Sequence, residues 1–284
     1  MFRAMQSIEV VTTVAELRAR VGGWRRAATP VGLVPTMGAL HQGHLALVDH
    51  ARKHSRKVIV SIFVNPAQFA PHEDFDRYPR TLESDLGKLG VAADLIFAPS
   101  VAEMYPAGFS LKLEMGGPAQ GLESDFRPHF FAGVATVVAK LLIAAMPDVA
   151  MFGEKDYQQL LVVRRLVRDL SLPVEIMGVP IVREADGLAM SSRNAYLDAR
   201  ERTIAANLNK VIKDVAAQLR EGAVVAAVES RAVQALLGAG FDFVDYIAVR
   251  DAETLAALQH FASPARVLAA ARIGKTRLID NMAI

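Results

Sequence analysis

Two histidines stand three positions apart in LVPTMGALHQGHLALVDHARK, residues 33–53, with Gly43 between His41 and His44 where an apolar run gives way to helical spacing. The chain has only 7 histidines, so the pair invites a chemical reading: a metal site, a phosphate site, a nucleic-acid contact, or coincidence. For zinc, the H-E-x-x-H pattern puts two ligands on successive helical turns with a glutamate base, and Gln42 cannot serve as that base. His50 and His54 have ligand spacing along one helix face, but they lie among Asp49, Arg52 and Lys53 and read as solvated. Cys is absent, so thiolate metal sites and disulfides are excluded.

The phosphate reading has a mechanism. If VGLVPT (31–36) is a strand, the turn MGALHQG delivers the chain to a helix starting near Gly43. The unpaired amides and positive dipole end of such a helix attract anions. Gly38 and Gly43 let backbone and ligand approach closely, and imidazoles beside that entrance can donate to phosphate oxygens as negative charge builds. The better-known phosphate motifs fail here: no G-x-G-x-x-G follows a strand, and the GKT at 274–276 has Ala269 where the Walker pattern needs glycine.

Around this loop the sequence alternates short β-branched runs with longer helical segments, the signature of βα units on a mostly parallel sheet. Strands are expected at 31–36, 58–64, 94–99, 148–153 and 174–182, and helices in HLALVDHARKH, TLESDLGKL, GVATVVAKLLIAAM and YQQLLVVRRLVRDL. The fold class is therefore α/β, a Rossmann-like doubly wound parallel sheet. Past residue 185 the texture changes to a long amphipathic helix over 197–222, a second near 224–237 and strands near 243–250 and 266–273. A Rossmann-like catalytic domain at 1–185 and a smaller C-terminal α+β lid at 186–284 are expected, joined by READGLAMSSRNAY, a polar hinge of the kind that hosts ligands.

With 52% hydrophobic and 22% charged residues the chain has ample core, and its net charge of +2 comes from scattered Lys and Arg. That balance lends little support to nucleic-acid binding, and no nucleic-acid partner is expected. Lys140 interrupts even the greasy stretch at 133–146, so no membrane span and no signal segment is expected, and a cytoplasmic location follows by default.

PTMGALHQGH (35–44) resembles the H-x-G-H element of the HIGH-containing nucleotidyltransferases. SIFVNPAQF (61–69), YPRT (78–81), HFFAGVATVVAKLL (129–142), FGEKDYQQL (152–160), GVPIVREADGLAMSSRN (178–194) and RLIDNM (277–282) are similar, in the same order, to the pantothenate synthetase (pantoate–β-alanine ligase) family. The resemblance implies ATP-dependent condensation of pantoate with β-alanine through a pantoyl-adenylate, releasing pyrophosphate and then AMP. It implies that His41, His44, Lys155 and Arg193 are catalytic, and that Met37, Gly153, Asp156, Met190, Ser191 and Ser192 bind ATP. Gln68 and Gln159 would grip pantoate, with Val134, Val137 and Val138 around its methyl groups; those valines read equally well as core. Asn65 would orient the substrate loop. Mg2+ would accompany ATP, with Asp85 as a candidate protein ligand or, alternatively, an acid on a capped surface helix. A homodimer is also implied. Two positions depart from the family pattern: Ala67 replaces a methionine, and Phe130 occupies the usual histidine position with His129 one place earlier. A related nucleotidyltransferase acting on a phosphorylated substrate, or an RNA-binding relative suggested by the sequence pI of about 8.9, are the competing readings.

Overall fold

The computed structural model describes residues 8–71 and 73–284. Its first sheet contains β1 (Glu9–Val11), β2 (Val31–Thr36), β3 (Lys57–Ile62), β4 (Leu95–Phe97), β5 (Val149–Gly153) and β6 (Glu175–Val179), in the order β1-β4-β3-β2-β5-β6. Every pairing in it is parallel. The central strands read as nearly continuous apolar runs because both faces are covered: Leu33 enters one core with Ile59 and Phe97, and its neighbour Val34 enters another with Val58 and Val60.

Helices α1 (Val14–Arg26), α6 (Phe130–Ala145) and α7 (Tyr157–Asp169) supply the first core, α2 (Gln42–His54) and α3 (Leu82–Leu89) the second, and α4 (Val101–Met104) and α5 (Glu123–Phe126) are single turns between them. Helix α6 is apolar almost all round because it is buried almost all round. Its one charge, Lys140, emerges over the rings of Phe109 and Tyr105, at 4.5 and 5.8 Å. Among the described residues no helix is long and apolar enough to cross a membrane.

Strand order reverses between β2 and β5, which pair directly at Gly32↔Val149. In an open parallel sheet the crevice beyond the strand ends at such a reversal is where ligands bind.

The C-terminal part contains α8 (Ala199–Ala205), α9 (Asn207–Arg220), α10 (Val225–Gly238) and an antiparallel sheet of β7 (Phe243–Asp251), β8 (Ala265–Ile273) and β9 (Thr276–Ala283). The helix expected over 197–222 is broken at Ala206, where the Asn207 side chain donates to the Ile204 carbonyl at 3.0 Å and competes with the helical ladder. Strands β1 and β9 were not expected from sequence. β1 is only three residues long. In β9 the buried positions include Thr276, Asp280 and Asn281, which hides the alternation that marks a strand. One face of this sheet packs on α9 and α10; on the other, Ala248 and Leu268 meet Leu122 and Leu161.

Candidate active site

The loop after β2 is held by a buried carboxylate. Asp85, 0% exposed on α3, accepts from the Ala39 and Leu40 amides at 2.9 and 2.8 Å and from Thr81 Oγ1 at 3.2 Å. Lys88 Nζ donates to the Leu40 carbonyl at 2.8 Å. Asp85 therefore faces inward from the otherwise largely exposed α3 and is outside the cleft lining; its oxygens are committed to the loop. These contacts hold Ala39 at φ +51°, the left-handed region that non-glycine residues seldom occupy, and set His41 at the N-cap of α2.

There the two histidines form a capping box of imidazoles. His41 Nδ1 accepts from the Gly43 amide at 3.1 Å, and His44 Nδ1 accepts from the His41 amide at 3.3 Å. The rings lie 4.1 Å apart. Burial, then Lys155 and Lys88, pushes His41 down to about 4; burial, then His41 and Lys155, pushes His44 down to about 3. Both rings are thus neutral near pH 7, and with Nδ1 accepting, the proton sits on Nε2. A side chain at Gly43 would bring its Cβ within 2.9 Å of His41 Cε1, so the glycine makes room for the first ring.

Opposite, β5 ends at Gly153 and a single 3-10 turn, Glu154–Asp156, leads into α7. Gly153, Lys155, Asp156 and Gln159 line the same cleft as His41 and His44, a cavity of about 390 Å³. Lys155 has no ion pair among the described residues. The adjacent glutamines divide their work. Gln158 is buried and donates to the carbonyls of Pro118 and Gly121 while accepting from the Glu123 amide, and Gln159 is left to the cleft.

One wall is built by α6 and the turn Pro66–Gln68. Asn65, 1% exposed, donates to Gln68 Oε1 and the Gly133 carbonyl and accepts from Tyr105 Oη at 2.7 Å and the Ala67 amide. Burial pushes Tyr105 up to about 12, so its hydroxyl stays a donor. Gln68 Nε2 points at Met37 Sδ, 3.1 Å away. The turn can lie this close to α6 because residue 133 is glycine: a Cβ there would stand 2.2 Å from the Ala67 carbonyl oxygen and 2.8 Å from the Gln68 amide. Val134, Val137 and Val138 belong to the core and line the cleft at once. Ala67 is exposed and outside the cleft lining.

The segment after β6 closes the other side. Met190 donates its amide to the Val182 carbonyl, and Ser191 caps the 3-10 turn Ser192–Tyr196 through the Arg193 amide. Met190, Ser191, Ser192 and Arg193 all line the cleft. Arg193 is not a free cation, however: it makes a bidentate pair with Asp74 at 3.0 and 2.9 Å. Burial opposes its charge and Asp74 more than restores it. Tyr78 Oη lies 3.1 Å from Ser192 Oγ. Sequence reasoning singled out neither Asp74 nor Tyr78; YPRT lay among the family-like pieces without a role for its tyrosine.

At the far end, Arg127 pairs with Glu73 at 2.6 and 2.8 Å and lies 3.9 Å over the Phe130 ring, so the aromatic at the departing position supports the arginine. His129 is outside the cleft lining. Glu123 accepts from Tyr246 and Arg277, each at 2.8 Å, and Arg277 continues to Asp245. Burial opposes ionisation of Glu123, and Arg277 outweighs it, holding the carboxyl below its usual range.

A parallel sheet whose switch point presents a helix N-terminus, two neutral imidazoles and a lysine in one cleft has the layout of an α/β nucleotide-using enzyme. A family model described as "Pantoate-beta-alanine ligase" matches residues 9–283. The chain belongs to the pantoate–β-alanine ligase family. It is 57% identical over 279 residues to the pantothenate synthetase of Mesorhizobium japonicum, covering 98% of each chain. It is 54% identical over 284 residues to that of Caulobacter vibrioides, covering 99% of this chain and 100% of the relative. The structure superposes on pantothenate synthetase from Thermus thermophilus with a TM-score of 0.89, at 49% identity over 97% of this chain and 99% of the other. For the pantoate-beta-alanine ligase of Francisella tularensis, solved with "Beta-gamma ATP and Beta-alanine", the TM-score is 0.83 at 32% identity, covering 97% of each.

Proposed function

We propose that this enzyme condenses pantoate with β-alanine at the expense of ATP, and that the cleft at the β2–β5 reversal carries both half-reactions. In the first, a pantoate carboxylate oxygen attacks the α-phosphorus of ATP, the bond to the bridging oxygen breaks and pyrophosphate leaves. In the second, the β-alanine amine attacks the acyl carbon, loses a proton and expels AMP. A carboxylate alone resists an amine; the mixed anhydride supplies the leaving group.

The observation that carries this reading is the paired Nδ1 acceptance of His41 and His44 at the α2 N-terminus, which leaves two Nε2–H donors in the cleft that also holds Lys155. As charge builds on the α-phosphate oxygens, the neutral donors and the ammonium stabilise it without reorganisation. Arg193 joins them by sharing or leaving Asp74, with Ser191 and Ser192 donating hydroxyls to phosphate oxygens. Met37, Gly153, Asp156 and Met190 line the nucleotide side, with the Asp156 carboxylate free of its own helix cap and suited to ribose hydroxyls. Gln68 and Gln159 orient the pantoate hydroxyls and carboxylate, Val134, Val137 and Val138 enclose the methyl groups, and Asn65 acts through Gln68.

Among the described residues no group of three or more His, Asp or Glu side chains could hold a metal ion. Mg2+ would arrive on the nucleotide, neutralising phosphate charge with few protein ligands, and the bonds Asp85 makes to the loop argue against it as one of them. Residues 1–185 would act as the catalytic unit and 186–284 as its lid, in a cytoplasmic homodimer.

Pantoate-dependent exchange of labelled pyrophosphate into ATP, measured without β-alanine, tests the adenylate. Exchange is expected; its absence from folded, ATP-binding enzyme would overturn the mechanism.

A further inference from the structure

The turn that carries Lys155 and Asp156 into the cleft is fixed from the other end of the chain. Asn281, 2% exposed on β9, donates from Nδ2 to two consecutive carbonyls, those of Glu154 at 2.8 Å and Lys155 at 2.9 Å. Its Oδ1 accepts from Arg266 Nη1 at 2.5 Å. Arg266, 8% exposed on β8, reaches Glu154 Oε2 with Nη2 at 3.3 Å and lies 3.6 Å over the ring of Tyr157, the first residue of α7. Tyr157 Oη returns to the C-terminal part, donating to the Ala252 carbonyl at 2.8 Å.

The amide is fully used and can be used only one way round. Both N–H bonds are spent on carbonyls and the oxygen on a guanidinium, so a flipped amide would set acceptor against acceptor. If burial alone mattered, the positions would suit apolar residues; a buried Asn and Arg are retained where each has a partner to hold. What they hold is the backbone of the turn bearing the free lysine.

We propose that Asn281 and Arg266 are positioning residues for Lys155, so that docking of the C-terminal sheet places the lysine for phosphate as well as covering the nucleotide. The proposal rests on the reading of Lys155 as the charge that meets the α-phosphate.

The test is pantoate-dependent pyrophosphate–ATP exchange in the full-length enzyme and in Asn281→Ala, Asn281→Asp, Arg266→Lys, Lys155→Ala and the Asn281→Ala/Lys155→Ala double variant. Asn281→Ala is expected to lower kcat on the order of 10²-fold, as misplacement of a reacting group does, with KM for pantoate held. Asn281→Asp falls further, because a carboxylate has only acceptors to offer two carbonyls. Arg266→Lys, which keeps the charge but loses the planar fork, falls part of the way and carries the test if the Asn281 variants do not fold. The double variant exchanges no more slowly than Lys155→Ala, since the effect of Asn281 passes through the lysine. Wild-type kcat in Asn281→Ala, or in Arg266→Lys where that variant carries the test, overturns the proposal, as does additive loss in the double variant. Absence of exchange in the unaltered enzyme instead overturns the functional reading beneath it.

Discussion

Two imidazoles that accept backbone amides through Nδ1 cannot also be general bases through that atom. What His41 and His44 retain is a single N–H each, on Nε2, held by the bonds the other nitrogen makes. Neutrality suits the proposed role: an imidazolium at the α2 N-terminus would meet the positive dipole end of the helix and the Lys155 ammonium, whereas a neutral donor would strengthen its bond as a bound phosphate gained charge. Replacing His44 by Ala removes one such donor, and kcat for exchange is expected to fall about 10²-fold or more. Exchange near the wild-type rate would show that Nε2 has no such role. Tyr78 and Asp74 were invisible in the sequence because their partners, Ser192 and Arg193, lie 114 and 119 residues away.

Glycines decide how closely the elements approach. At Gly133, an added Cβ would collide with the backbone of the Pro66–Gln68 turn, which has no side chain to swing aside. Gly133→Ala is expected to displace that turn and raise KM for pantoate about 10-fold or more, roughly the 1–3 kcal/mol of an overpacked contact, with KM for ATP little changed. Initial-rate kinetics with each substrate varied separately decide it. The strands near this wall were legible in sequence because central parallel strands leave continuous apolar runs: VGLVPT is β2 residue for residue. The HQGH turn was legible as a candidate phosphate site from spacing and strand-end context, whereas Lys155 taken alone read as part of a charged loop and was singled out only through the family resemblance. Asp85 was read as a ligand or a surface cap because spacing cannot say which way a helical carboxylate faces. β9 was hidden by the polar side chains that make it useful, Asp280 bound by Arg183 and Asn281 by the Lys155 turn.

At the scale of the whole molecule, the neutral imidazoles set an acid limit on stability. His41 and His44 are held near 4 and 3 in the folded protein, against about 6.5 when the chain is unfolded. Below that unfolded value the unfolded chain binds protons that the folded one refuses, so stability is full above it and is lost as pH falls toward 4. Urea unfolding between pH 4 and 8 is expected to show this loss. At pH 5 unfolding should take up about one fewer proton in His44→Ala than in the unaltered enzyme; equal uptake would contradict it.

The pairing of β2 with β5 spans 117 residues, with the Asp148 carboxylate taking the Val31 amide at 2.7 Å. As the chain leaves the ribosome, β3 and β4 can settle on one side of β2 while its other edge waits for α6 and β5. That edge is an open template through much of synthesis, and long-range parallel pairing is intrinsically slow to close. The seam where nucleotide chemistry is proposed is thus also an edge that the newborn chain must leave open until β5 is made.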